Sequence, residues 1–281
     1  MSARVGAPND ARPFLKWAGG KRQLIPAILA VVPAKIDTYY EPFVGGGAVF
    51  FALAARSRAF RRAVLADANQ ELVLCYQALR RDVDGVIREL RRYRYGEAEY
   101  YAARARDPER MSPAARAART IYLNRTGYNG LYRVNKQGRF NVPFGRYESP
   151  VICDERRLRA ASAALKRAKI VCLDFEETVR DASPSDFVYF DPPYVPLSPT
   201  SSFTAYAQRR FGPDEQRRLA AVLRRLGERG VPALLSNSSC PATRELYEGL
   251  AADEILVRRA INSVATSRGP VAELLVRSSA F

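Results

Sequence analysis

The chain contains no histidine in its 281 residues. A histidine general base, a histidine-containing zinc site and a Ser-His-Asp triad are therefore excluded. Only four cysteines occur, Cys75, Cys153, Cys172 and Cys240, and none stand at CxxC spacing. They read as reduced thiols of a cytoplasmic protein and not as a disulfide framework. No apolar run approaches the roughly 18–20 residues that span a bilayer, and the start of the chain lacks a signal-peptide apolar region, so no membrane partner is expected. Acidic side chains are the scarce charge: 29 Asp plus Glu stand against 45 Lys plus Arg, a net charge of +16. That excess points to a polyanionic partner, DNA or RNA foremost. With 47% hydrophobic residues the chain can bury a core and should form one large domain or two smaller ones.

Residues through Asp10 are small and polar with Pro and Gly, and read as a loose tail. Leu24, Ile25, Ile28, Leu29 and Val32 follow helical spacing and stop at Pro33. An extended stretch, Thr38-Tyr39-Tyr40, enters the turn Gly45-Gly46-Gly47; a helix with Val49, Phe50 and Leu53 inward follows, then a strand at Ala63 to Ala66 closing on Asp67. Strand, glycine turn, helix, strand and acid outline a βαβ nucleotide-binding unit. Between Leu72 and Tyr147 the character changes to Arg-rich and Tyr-rich helical segments without convincing strands, which we read as an insertion. Alternation resumes from Cys153, with strands expected at 170–173, 187–190, 232–236, 255–258 and 273–276, and a helix from Pro213 to Gly230.

The most informative motif is Asp191-Pro192-Pro193-Tyr194, directly after the apolar run Phe187-Val188-Tyr189-Phe190. An exocyclic amine on a nucleobase is a poor nucleophile because its lone pair is delocalised into the ring. A carboxylate from Asp191 and the carbonyl of Pro192 can each accept one amine hydrogen and favour a pyramidal nitrogen. The prolines stiffen the turn, and Tyr194 offers a face for an extruded base. Glycine at 45 and 47 lets backbone approach a ligand, and Asp67, about 20 residues further on, stands where a carboxylate commonly binds ribose hydroxyls. The same unit suits a dinucleotide; Asp191-Pro192-Pro193-Tyr194 weighs against a dehydrogenase. Near the start, Phe14-Leu15-Lys16-Trp17-Ala18-Gly19-Gly20-Lys21 combines aromatics, cations and a glycine pair before a helix. In the insertion, 124–133 and 138–147 interleave Arg and Asn with aromatics on glycine-rich segments, a composition suited to reading bases.

Together these segments resemble the DNA adenine methyltransferases of the Dam and DpnII type. The match runs in order through FLKWAGGKRQL, YEPFVGGGAVFF, LADANQEL, NGLYRVN, GRFNVPFGRY, VYFDPPYVPLS with SSFTAY, and LLSNSS, from Phe14 to about Glu273. The resemblance implies an α/β fold: a class I methyltransferase, Rossmann-like sheet with an inserted, mostly helical target-recognition domain. The expected parts are residues 1–71 and 148–281 for the catalytic domain and 72–147 for the insertion. It implies S-adenosyl-L-methionine as methyl donor, no metal, and site-specific N6 methylation of adenine, in GATC, in double-stranded DNA after base flipping. Carried over residue by residue, Trp17, Lys21, Gly45, Gly47, Asp67 and Asp191 meet the donor; Asp191, Pro192 and Tyr194 are catalytic; Lys16, Asn129, Leu131, Arg133, Pro143 and Tyr147 meet DNA. A monomer or weak dimer in the cytoplasm is expected, at the bacterial nucleoid or encoded by a phage. Methylation of the cytosine 4-amino group or of RNA adenine uses the same chemistry, and a catalytically silent DNA-binding regulator would share the basic insertion; the inserted domain and an intact donor pocket discriminate among these.

Overall fold

A computed structural model describes residues 11–17, 19, 21, 23–56, 59–195, 211–258 and 270–281. The tail through Asp10, the SSFTAY segment and the end of VYFDPPYVPLS lie outside the described residues. Seven strands form one sheet: β1 (Ile36–Glu41), β2 (Phe60–Ala66), β3 (Ala168–Val171), β4 (Phe187–Phe190), β5 (Ala233–Ser238), β6 (Ala252–Arg258) and β7 (Pro270–Arg277), in the order β3-β2-β1-β4-β5-β7-β6. The first five are parallel, and β7 runs antiparallel between β5 and β6. The strand order reverses between β1 and β4, the position at which open α/β sheets bind ligands beyond the carboxyl ends of their strands. This is the expected Rossmann-like sheet. The strand expected at Ile170 to Leu173 begins two positions earlier in register, and the two last strands are longer than their apolar runs because their pairing extends over polar residues.

Side-chain alternation divides the core. Tyr39, Phe187, Tyr189 and Leu234 join one buried cluster, while Tyr40, Val188, Phe190 and Leu235 join the other. β4 and β5 are buried along their whole length, as central parallel strands are when helices cover both faces. On one face lies α9 (Pro213–Glu228), which buries Leu219, Val222, Leu223 and Leu226 and has its Gly212 amide capped by Glu215 at 3.0 Å. Residues of α1 (Ile25–Val31), α2 (Ala48–Ala54), α3 (Gln70–Arg81) and α7 (Glu155–Leu165) pack in the other cluster.

The segment read from sequence as a helical insertion contains α4 (Val83–Leu90), α5 (Glu97–Ala105) and α6 (Pro113–Thr126), followed by a long loop with two isolated antiparallel bridges, Gly127–Phe144 and Val134–Phe140. The boundary expected at 71/72 falls inside α3. That helix serves both sides: Gln77 Nε2 donates to Ile170 O of β3 (2.8 Å) and Leu79 O accepts from Ser162 of α7 (2.8 Å), while the Cys75 thiol meets Ala117 O of α6 at 3.8 Å. The small helices α8 (Phe175–Thr178) and α10 (Pro241–Leu246) complete the layers.

Tyrosines tie the insertion together. Tyr93 and Tyr122 stack with centroids 4.4 Å apart, and the hydroxyls of Tyr100, Tyr122, Tyr95 and Tyr147 donate to the carbonyls of Val142, Arg94, Gly145 and Gly127 at 2.8–2.9 Å. Each bond ties the loop or the α4–α5 link to a helix or to a neighbouring loop turn, and burial without those partners would be costly. Arg119, counted in the basic excess, is buried and donates to the Ala103 and Arg104 carbonyls, so it braces α5 against α6 and presents no charge to a partner.

Candidate active site and nucleic-acid interface

Four strand ends converge at the carboxyl edge of the sheet. Asp67 follows β2, the glycine turn follows β1, Asp191 follows β4, and Ser236 to Ser238 end β5. Because β7 is antiparallel, its first half reaches the same edge, with Glu273 paired to Ser238.

At the centre, Lys21 Nζ lies 2.8 Å from Asp191 Oδ1 and also donates to Gly19 O at 2.7 Å. Ser236 Oγ donates to the same Asp191 oxygen at 3.2 Å and meets the Tyr189 hydroxyl at 2.9 Å. Burial pushes the Asp191 carboxyl above the ordinary carboxylate range, against the opposing pull of the Lys21 ammonium and the Ser236 hydroxyl. Both contacts among the described residues use Oδ1. No described group donates to the Pro192 carbonyl.

The turn itself is strapped down. Gln216 Nε2 donates to Pro193 O (2.8 Å), the Val195 amide to Asn237 Oδ1 (3.1 Å), Ser238 Oγ to Val195 O (2.7 Å), and Asn237 Nδ2 to Gln216 Oε1 (3.1 Å). Tyr194 donates its hydroxyl to Glu273 Oε2 at 2.7 Å, and Lys21 Nζ sits 4.4 Å from its ring centroid. Of the residues singled out from sequence, Lys21, Asp191, Pro192 and Tyr194 are thus brought together. Ser236, Asn237, Gln216 and Glu273 were not anticipated in this site. LLSNSS marked only the β5 pair, and nothing local distinguishes Gln216 or Glu273.

The glycine turn carries positive φ at Gly45 (+47°) and Gly47 (+69°), which admits few side chains. A Cβ at Gly45 would fall 2.8 Å from Trp17 Cδ1, and one at Gly47 2.9 Å from the Tyr76 hydroxyl. The Trp17 indole therefore lies directly on the turn. Asp67 Oδ2 accepts the Gly45 amide (3.0 Å) and Oδ1 the Asn69 amide (2.9 Å), which holds the turn against the second strand. Burial raises the Asp67 pKa to about 6, opposed by these backbone donors. Each carboxylate oxygen keeps acceptor capacity for a ligand hydroxyl. Nearby, Asn69 Nδ2 is buried without a hydrogen-bond partner, its side chain beside the Tyr132 hydroxyl. A glycine turn without Cβ atoms and an acceptor carboxylate fit a nucleoside-bearing donor molecule. Behind them Glu41, buried, accepts from the Tyr39 hydroxyl (2.8 Å) and the Phe50 amide (3.1 Å); burial lifts its pKa to about 8.

Of the residues expected at DNA, Lys16 and Tyr147 are in contact, and the others lie on the loop after α6. Lys16 Nζ lies 4.5 Å from the Tyr147 ring centroid. Asn129 is exposed with φ +53°, Leu131 is half-buried, and Pro143 is exposed, its carbonyl accepting the Tyr128 amide (2.9 Å). Arg133 is exposed and donates to Asn141 Oδ1 (2.8 Å) and O (3.1 Å) across the hairpin closed by the Val134–Phe140 bridge. Tyr128, exposed at 52%, is the aromatic of this loop that faces outward. The base-reading composition assigned to 124–133 needs correction at its start. α6 continues through Thr126, so Asn124 is buried and brackets Lys16, accepting its amide (2.8 Å) and donating to its carbonyl (2.7 Å) and to Gly130 O (3.0 Å). Arg125 donates to Phe14 O (2.8 Å). Both are scaffold.

Comparison with known proteins identifies the family. The family described as D12 class N6 adenine-specific DNA methyltransferase matches residues 17–264. A type II methyltransferase of Lactococcus lactis subsp. cremoris is 42% identical over 275 residues, covering 95% of each chain. The DNA adenine methylase of Escherichia coli K12 is 38% identical over 268 residues, covering 94% of each. Among solved structures, an rRNA methyltransferase from Streptomyces viridochromogenes is similar at a TM-score of 0.42 and 16% identity, over 99% of this chain and 95% of that one.

Proposed function

Since the chain belongs to the D12 class of N6 adenine-specific DNA methyltransferases, we propose that it methylates adenine N6 in GATC sites of duplex DNA, acting on an adenine flipped out of the helix. The observation that carries the reading is the Asp191-Pro192 pair. The carboxylate is fixed through Oδ1 by Lys21 and Ser236, and the Pro192 carbonyl is left without a described donor, on a turn strapped by Gln216, Asn237 and Ser238.

In this reading Asp191 and the Pro192 carbonyl accept the two hydrogens of the target amine, so that its nitrogen becomes pyramidal. Tyr194, one face covered by Lys21 and its hydroxyl anchored on Glu273, stacks the extruded base on its other face. Trp17, Gly45, Gly47, Asp67 and Lys21 hold the donor, with Asp67 accepting ribose hydroxyls. S-adenosyl-L-methionine, when bound, supplies a methyl carbon made electrophilic by a sulfonium. The methylated amine is cationic and acidic, so its proton passes to Asp191 or water without a histidine.

Outside the catalytic turn, Lys16, Asn129, Leu131, Arg133, Pro143 and Tyr147 meet the duplex. The test is modified-base sequencing of DNA from a methylation-free host that expresses the chain. N6-methyladenine at GATC is expected; methylated cytosine, or unmodified DNA, would overturn the reading.

A further inference from the structure

Trp17 is held between two parts of the molecule that have different tasks. On one side it lies against the glycine turn, so close that a Cβ at Gly46 would fall 2.9 Å from its own Cβ. On the other it stacks on Tyr132, centroids 5.5 Å apart and planes 28° from parallel. Tyr132 belongs to the long loop of the insertion and stands between Leu131 and Arg133, both assigned above to the DNA. Yet it is itself 8% exposed, and it packs edge-on against Phe140 across the hairpin at 5.5 Å. Lys16, beside Trp17, is fixed at both its amide and its carbonyl by Asn124, and its side chain packs on Gly130 so tightly that a Cβ there would lie 2.5 Å from Lys16 Cδ. The strip Lys16-Trp17 is therefore gripped by the reading loop at one residue and by the donor pocket at the next.

We propose that Tyr132 is a positioning residue that couples the donor pocket to the DNA-reading loop through its stack on Trp17. The proposal rests on the adenine-methyltransferase reading above. When Leu131 and Arg133 seat on a duplex, the ring between them shifts with the backbone that carries it. A close-packed contact transmits that shift to the indole instead of absorbing it. The indole lines the glycine turn, so donor affinity changes with DNA occupancy, and by linkage DNA affinity changes equally with donor occupancy.

Trp17 is the sole tryptophan of the chain, so intrinsic tryptophan emission reports this residue alone. The experiment measures binding of S-adenosylhomocysteine, which cannot transfer a methyl group, by calorimetry on the full chain with and without a saturating GATC duplex. Wild type, Tyr132→Phe, Tyr132→Ala and Tyr132→Leu are compared, with tryptophan emission recorded at each step. In wild type the duplex tightens S-adenosylhomocysteine binding by at least about fivefold and shifts the emission; Tyr132→Phe keeps both effects. Tyr132→Ala loses both, the affinity change falling below about twofold. Tyr132→Leu, which fills the space without a flat ring, gives the same loss should the alanine variant melt. Coupling that survives in Tyr132→Ala or Tyr132→Leu, or that is absent from wild type while methyl transfer proceeds, overturns the proposal. Absence of methyl transfer to adenine by wild type on any duplex overturns the underlying reading instead.

Discussion

Lys21 and Asp191, 170 positions apart in sequence, meet at 2.8 Å beneath the ring of Tyr194, the lysine buried and the carboxylate half-buried. Burial holds the carboxyl above its ordinary pKa, and the ammonium opposes that rise. The proposed chemistry needs the ionised form. Without Lys21 the carboxyl is more easily protonated, so the acid limb of the rate profile moves to higher pH. For Lys21→Met, single-turnover rates at saturating donor are expected to show that limb displaced upward by roughly 1–3 pH units. An unmoved limb would mean that the pair is architectural.

A second titration concerns stability. Glu41 has a folded pKa of about 8 because it is buried, above the value it takes in the unfolded chain. The folded state therefore holds the proton that the unfolded state releases, and stability falls as pH rises from the ordinary carboxylate range to about 8, by about 1.4 kcal/mol per pH unit. Glu41→Gln keeps an acceptor for the Tyr39 hydroxyl and the Phe50 amide and removes the titration. Thermal melts should show the variant gaining on wild type steadily from pH 5 to pH 8; a constant difference would contradict the assignment.

Asn124 satisfies three backbone groups at once, the amide and carbonyl of Lys16 and the carbonyl of Gly130. Asn124→Ala leaves them unpaired at the seam between the insertion and the first loop. A loss of roughly 2–4 kcal/mol is expected in denaturant melts, together with weaker duplex binding. A loss confined to the range of ordinary surface changes would show that water replaces the side chain.

Arg133 and Lys136 lie on one hairpin and are both exposed. If Arg133 reads a base, Arg133→Ala should cost about 1–3 kcal/mol of discrimination between GATC and single-substituted sites. Lys136→Ala should weaken all duplexes alike and lower the salt slope by about 1. Titrations against matched and altered duplexes at several salt concentrations separate the two. Equal behaviour of both variants would remove Arg133 from the base-reading set.

Much of the catalytic half is legible in the sequence because its chemistry sits at strand ends. The alternation into Thr38-Tyr39-Tyr40 announces β1, the three glycines announce the turn, and Ala63 to Ala66 with Asp67 close the unit, as the structure has them. Phe187 to Phe190 is β4 to the residue. What is not legible is what long-range pairing decides. Glu273 reaches Tyr194 because β7 runs antiparallel beside β5, and no local pattern in 270–277 discloses direction. Arg119 and Asn124 look like surface charge and a base reader by composition, yet α6 turns them inward, where backbone carbonyls take up their donors. Composition changes at 71/72, whereas α3 carries one helix across that change because its two faces pack on different partners.

The most direct test of the central claim is Asp191→Ala, assayed for methyl transfer to a GATC duplex and for duplex affinity in parallel. With its acceptor gone, transfer is expected to fall by at least about 10²-fold while the duplex dissociation constant stays within about twofold. Near-normal turnover by that variant, with binding intact, would contradict the account.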